Sequence, residues 1–327
     1  MFFFPSCGHH CPALNVKSMI RPVIFIAALT LISAFSRHAV AQKRQKELPL
    51  VASLNAYSFS DLLSAKDNRD KQQVYTLFNL LDWCATQKIK ALDPTAYFFP
   101  GYPEVPSDEY LKKFKDKAAE LGIVISGTGI RNNFASPDST VRAAGVELAK
   151  KWIVAASKMG APVLRVFSGE IPKGYEDKWK EVADWMIKCY KECAVFGEQY
   201  GVKIGIQNHG DMLQTAEQCL YVLKGVNSKW VGLIVDTGSF KTPDPYKDIA
   251  EVVPYAINWQ IKESPAGIGG KEKTDYVKLV KVIKDGGYKG FLPVETLLVH
   301  GVPYDPFDLV PQMLSELNNA IETVYKN

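Results

Sequence analysis

Four stretches of this chain share one shape: a short apolar run that stops abruptly in a cluster of polar residues. They read KIGIQNHGD (Lys203 to Asp211), LIVDTGSF (Leu233 to Phe240), NWQIKES (Asn258 to Ser264) and FLPVETL (Phe291 to Leu297). A strand covered on both faces carries a continuous apolar run, so each reads as a buried parallel strand delivering side chains at its carboxyl end. Gln207, Asn208, His209 and Asp211 are too polar to sit unpaired in a core. One such stretch would pass for a strand and an ordinary loop. Four in a row point to a shared mouth.

The same rhythm extends through the chain. Strands are expected at Leu50–Tyr57, Lys90–Asp93, Ile123–Thr128, Val163–Phe167, Val202–Gln207, Val231–Asp236, Ile257–Lys262 and Phe291–Glu295. Helical patterns fill the gaps: Lys71–Thr86, Asp108–Leu121, Thr140–Met159, Lys178–Tyr200, Thr215–Leu223, Tyr246–Val253, Asp275–Lys284 and Asp308–Tyr325. Gly122, Gly160 and Gly201 follow three of these as helix-terminating glycines do. Eight strands alternating with eight helices predict a (β/α)8 TIM barrel, a single domain over residues 48–327. A doubly wound open sheet usually brings a Gly-rich turn after its first strand, whereas this one runs into LNAYSFS.

The N-terminus reads differently. From Met19, MIRPVIFIAALTLISAFSRHAVAQ has one Arg, an apolar run and Ala39-Val40-Ala41 before Gln42, the pattern of a cleaved secretory signal. The run from Pro22 to Phe35 is too short to span a bilayer comfortably. Residues 1–41 are therefore expected to be a signal region, with a mature start near 42, a periplasmic or secreted location and no membrane attachment after cleavage. Losing Lys17, Arg21 and Arg37 leaves 36 of the 39 basic residues against 35 acidic ones. Such a near-neutral chain has no nucleic-acid footprint. The mature chain keeps His209 and His300 as its only histidines, and Cys84, Cys189, Cys193 and Cys219 without zinc-site spacing. Cys189 and Cys193, four apart in a helical pattern, read as packing residues, although an exported chain can form a disulfide. The oligomeric state is left open.

In such a barrel the chemistry lies at the carboxyl ends of the strands. Those ends present Asn55 and Tyr57, Asp93 and Tyr97, Thr128 and Arg131, Arg165 and Glu170, Gln207 and His209, Asp236, Gln260 with Lys262 and Glu263, and Glu295. Carboxylates and amides bond hydroxyls, and aromatic faces such as Tyr57, Tyr97, Phe98 and Trp259 cover the C–H side of a sugar, so a small carbohydrate is the expected ligand. Asn55, Tyr57, Arg165 and Trp259 are its candidate contacts. Each residue also has a structural reading: Arg165 and Glu170 could simply pair, and Lys262 could be a solvated strand end.

These strand ends resemble the xylose-isomerase-like barrels of sugar isomerases and epimerases, from about Leu50 to Tyr325. The resemblance implies one divalent metal, commonly manganese, magnesium or cobalt with zinc behind them, held by a Glu before Asn-His, an Asp, a His before Lys-Asp or Lys-Glu, and a final Glu. Asp236 in VDTGSF and Glu295 in PVET match outright, and His209 matches the His of Asn-His. Gln207 replaces the first Glu and Gln260 the later His, so the implied metal set is Asp236, Glu295, Gln207 and Gln260. Amide oxygens are neutral, weaker donors, and a Gln cannot take a proton from carbon.

Three readings follow. A hard divalent ion sits on Asp236 and Glu295 with help from the two glutamines, while Glu295, His209, Lys262 or Glu170 handles the proton. Alternatively, Lys262 or Arg165 supplies the positive charge that stabilises an enolate without metal. Otherwise the barrel only binds sugar. The expected reaction is metal-assisted proton abstraction next to a carbonyl, giving isomerisation or epimerisation, with β-elimination on a keto-glycoside as the alternative. The endonuclease relative on the same barrel needs a histidine-rich multi-zinc site and a basic DNA face, which two histidines and near-zero charge disfavour.

Overall fold

A computed structural model describes residues 48–64, 75–209 and 212–326. Residues 1–41, expected to be a signal region, lie outside these residues, as does Asp211. From Leu48 onward the described residues belong to one compact unit. Its strands are β1 (Leu50–Asn55), β2 (Ala91–Asp93), β3 (Val124–Ile125), β4 (Thr128–Gly129), β5 (Val163–Val166), β6 (Lys203–Gln207), β7 (Val231–Asp236), β8 (Ala256–Gln260) and β9 (Gly290–Val294). The helices between them are α1 (Leu77–Thr86), α2 (Asp108–Glu120), α3 (Ser139–Met159), α4 (Trp179–Tyr200), α5 (Ala216–Val226), α6 (Pro245–Val252), α7 (Tyr276–Asp285) and α8 (Pro306–Lys326).

All strand pairings are parallel and fall into two ladders, β3-β2-β1-β9 and β4-β5-β6-β7-β8. The ladders join on one side through Ile261, which bridges Val294; its N–H bonds the Pro293 carbonyl at 2.8 Å and its own carbonyl accepts from the Glu295 N–H at 2.9 Å. On the other side the chain itself carries the third stave from β3 into β4. The result is the expected (β/α)8 barrel, with the third stave broken.

Local chemistry sets where the elements begin and end. The first strand stops at Asn55 rather than Tyr57 because the Asn55 Oδ1 accepts from the Tyr57 N–H at 2.8 Å and turns the chain into a 3-10 segment, Ala56–Phe59. Helix α1 starts at Leu77, capped by Thr76 in a reciprocal box with Asn79. The expected extension back to Lys71 falls outside the described residues. Helices α3, α5 and α7 take their N-caps from Asp138, Thr215 and Asp275. The break in the third stave falls at Gly127, where a Cβ would lie 2.6 Å from Asp93 Oδ2 and 2.9 Å from Asn258 Nδ2. Two inward polar side chains occupy the space that a regular strand residue would need.

Between strands and helices lies an apolar layer that includes the fully buried Trp152, Tyr190, Leu80 and Trp259. Cys189 and Cys193 are buried, unbridged thiols within it. Burial pushes the Cys189 thiol up to about 11, leaving a packing residue rather than a reactive one.

Candidate active site

Strand alternation decides which side chains reach the barrel axis. On β8 and just beyond it, Asn258, Gln260 and Lys262 take the inward positions, and each bonds a partner on another strand. Trp259 lies between two of them and faces the opposite way, fully buried with its ring edge-on to Tyr288 at 5.6 Å. This corrects the expectation that Trp259 would contact a sugar: the period of two that brings Gln260 inward sends Trp259 into the helix layer.

Asp236, Gln207, Gln260, Lys262 and Glu295 converge at the carboxyl ends of β6 to β9. The Lys262 ammonium bonds Glu295 directly through a short contact and lies 3.6 Å from Asp236 Oδ2. All three side chains are almost sealed from water, 8% exposed for Lys262, 1% for Asp236 and 6% for Glu295. Burial by itself would strip the proton from Lys262, but Asp236 and Glu295 together outweigh it and hold the ammonium above the usual lysine range.

The two glutamines are oriented by this network. Gln207 Nε2 donates to Asp236 Oδ2 at 2.9 Å and to Gln260 Oε1, while Gln207 Oε1 accepts from Arg165 Nη1 at 3.2 Å. Asp236 also accepts from the Gly238 N–H at 3.0 Å, and its backbone exchanges bonds of 2.8 and 2.9 Å with the Asn208 amide.

A second layer lies behind. The buried Arg165 guanidinium sits 3.9 Å over the Phe167 ring and donates to Tyr97 OH at 3.0 Å and the Ile130 carbonyl at 3.3 Å. It fits only because residue 129 is glycine: a Cβ there would come within 2.5 Å of the Arg165 Nε. Asp93 accepts from Asn258 Nδ2 at 3.0 Å. Burial pushes its carboxyl up to about 7 against the opposing charge of Arg165, and Glu295 adds to the rise.

The remaining candidates ring the mouth. Asn55 is buried and used as the cap of the turn that follows it. Tyr57 is half-buried, 6.1 Å from both Tyr97 and Phe98, and its phenol is pushed up by burial, then by Tyr97 and Glu295. His209 is exposed, its ring edge-on to Phe167 at 4.6 Å. Glu170 lies exposed on the loop after β5, outside the hydrogen bonds that Arg165 makes to Tyr97, Gln207 and Ile130. Asn258 and Phe167 join the site although their positions were not singled out in the sequence; alternation with Gln260 is the signal that places Asn258 inward.

Beside Lys262 and Glu295 opens a cavity of about 270 Å³, lined also by Glu263, Ser264, Lys271 and Leu297. A larger hollow of about 550 Å³ lies at the opposite end, around Lys203, Trp230 and Phe291, where residues of a barrel serve stability.

The donor set does not fit a divalent ion. Among the described residues no three His, Cys, Asp or Glu side chains gather as a metal group. Gln207 turns its nitrogen, not its oxygen, toward Asp236; reversed, its oxygen would face Asp236 and its nitrogen would face the Arg165 donors. The place between Asp236 and Glu295 is taken by an ammonium.

The model of the xylose isomerase-like TIM barrel matches residues 82–312. The uncharacterized protein MJ1311 of Methanocaldococcus jannaschii is 25% identical over 200 residues, 57% of this chain and 68% of its own length. Among solved structures, D-psicose 3-epimerase with D-tagatose from Clostridium cellulolyticum H10 superposes with a TM-score of 0.64 at 17% identity, covering 84% of this chain and 98% of its own. The 3-keto-D-glucoside 4-epimerase of E. coli superposes with a TM-score of 0.64 at 9% identity, covering 83% and 99%. At these identities the likeness is one of fold. Among the described residues no helix is long and apolar enough to cross a membrane.

Proposed function

The chain belongs to the xylose isomerase-like TIM barrel family, and we propose that it is an exported carbohydrate-active enzyme that moves a proton next to a carbonyl, giving an isomer or epimer. The observation that carries this reading is the buried Lys262–Glu295 pair beside a small cavity that charged and apolar residues line together. A C–H beside a carbonyl becomes acidic when the developing enolate oxygen meets a fixed positive charge in a water-poor site. Lys262 is that charge and Glu295 the adjacent carboxylate that takes the proton. Tyr57 and His209 stand around the mouth as contacts for hydroxyls, and Arg165 one layer behind orients Gln207. The structural neighbours named as sugar epimerases support the carbohydrate class. An exported enzyme meets free sugars and keto-glycosides rather than sugar phosphates.

β-Elimination on a keto-glycoside is the second reading. It is favoured by Gln207, which removes the second opposed glutamate that an epimerase uses to protonate the other face. Both reactions begin with the same C–H cleavage. Incubation with keto-sugars, aldoses and keto-glycosides in D2O, followed by NMR, separates them: isomerisation or epimerisation places deuterium on the reprotonated carbon, whereas elimination leaves a double bond there and releases the glycosidic substituent. Glu295→Gln is expected to abolish both. Tight binding with neither outcome across the panel would leave a sugar-binding barrel instead. Export is checked by the mass of the processed protein, expected to begin near Gln42.

A further inference from the structure

We propose that Lys262 is a tethered replacement for the divalent ion of this fold family, so that the barrel assembles and works without metal. The inference deepens the functional reading above and rests on it for the reaction, though not for the occupancy of the site.

Two strand-end acids, Asp236 and Glu295, face the same small volume, and that volume holds the Lys262 Nζ. The charges already close: Asp236 and Glu295 are matched by Lys262 and by Arg165 one layer behind. A divalent ion added to this set would leave a large excess of positive charge in a site that excludes water, next to an ammonium already seated on both acids. The amides are committed as well. Gln207 presents its Nε2 to Asp236 and to Gln260 Oε1, and Arg165 holds it in that orientation through Gln207 Oε1. Neither glutamine offers an unengaged oxygen toward the acids.

An ammonium carries three N–H donors. Two are directed at Asp236 and Glu295, and the third serves a ligand oxygen in the adjoining cavity. In the reaction, the C–H bond beside the carbonyl breaks and its proton passes to the Glu295 carboxylate. The electron pair becomes the enolate, whose oxygen is held by the Lys262 N–H. Glu295 then delivers its proton to the former carbonyl carbon while the neighbouring hydroxyl gives its proton to the enolate oxygen and becomes the new carbonyl, and Lys262 stays charged throughout.

The test uses the mature protein purified without chelator. Its manganese, magnesium, cobalt and zinc content is measured by elemental analysis, and its melting midpoint is followed with added Mn2+, Co2+ or EDTA. The expected result is a negligible metal content and a midpoint that none of these moves. About one bound equivalent, with a raised midpoint that Asp236→Asn abolishes, would overturn the proposal. A second arm restores donors and removes the ammonium, combining Gln207→Glu, Gln260→His and Lys262→Ala. This variant is expected to gain Mn2+-dependent stabilisation; a folded variant indifferent to Mn2+ would show that the position is not a cation's place. Should it not fold, the unaltered protein decides alone. If no sugar undergoes exchange, the functional reading fails while the metal measurement still decides this one.

Discussion

Replacing Lys262 with Met keeps a long unbranched side chain and removes the cation that, among the described residues, contacts both Asp236 and Glu295. Two carboxylates, 1% and 6% exposed, then lose their direct counter-charge and keep Arg165 one layer behind. Breaking a buried pair by deleting one partner costs about 3–5 kcal/mol. At roughly 2–4 °C per kcal/mol for a domain approaching this size, the melting midpoint is expected to fall by about 10 °C. The sign with pH is definite. In the variant, one of the crowded carboxylates binds a proton more readily folded than unfolded, so its destabilisation grows as pH rises and is relieved in acid. In the unaltered protein the folded Lys262 value is raised, so its contribution is present in full at and below neutral pH and is lost only in alkali. The gap between the two proteins should therefore narrow as pH falls from 7 toward 5, measured by urea unfolding at each pH. A variant within about 1 kcal/mol of the parent at pH 7, well below the range for a broken buried pair, would refute the buried triad. So would a gap that does not change with pH.

Three further outcomes follow from the packing. Gly129→Ala places a methyl about 2.5 Å from the Arg165 Nε; overpacking of this kind costs about 1–3 kcal/mol, and the displaced guanidinium should weaken sugar binding in calorimetry by releasing Gln207. Asp93, held neutral to about 7 by burial, retains a proton that the unfolded chain loses near ~3.9. Stability should thus fall as pH rises between those values, by up to about 4 kcal/mol, and unfolding of Asp93→Asn across the same range should show this slope removed. Trp259→Ala should cost about 3–5 kcal/mol as a core truncation, with the KM for sugar unchanged when assayed at a temperature where the variant is folded.

Much of this architecture is readable in the chain because buried parallel strands are written as apolar runs with polar ends. That pattern places Gln207, Asp236, Gln260 and Glu295 at one mouth, and they meet there. Trp259 faces away from the sugar contacts expected of it because strands alternate: with Gln260 and Lys262 inward, the residue next to Gln260 faces out. The broken third stave was illegible because its cause is the arrival of Asp93 and Asn258, from strands distant in sequence, at Gly127. The amide orientations were hidden for a similar reason, since they follow from partners such as Arg165 rather than from Gln207 itself. Glu170 and His209 sit on loops, where no strand period dictates direction.

The two ladders give the site a mechanical role. Between β8 and β9 the backbone seam narrows to Ile261 and its two hydrogen bonds. Lys262 follows one edge of that seam and Glu295 follows the other, so their ion pair fastens two half-shells together. Parting the shells would pull the cation from its carboxylate, and drawing the pair apart would loosen the shells. Amide exchange at Ile261 and Glu295 therefore reports on the state of the Lys262–Glu295 pair, because the clasp of the barrel is made by the same two side chains to which the proposed chemistry is assigned.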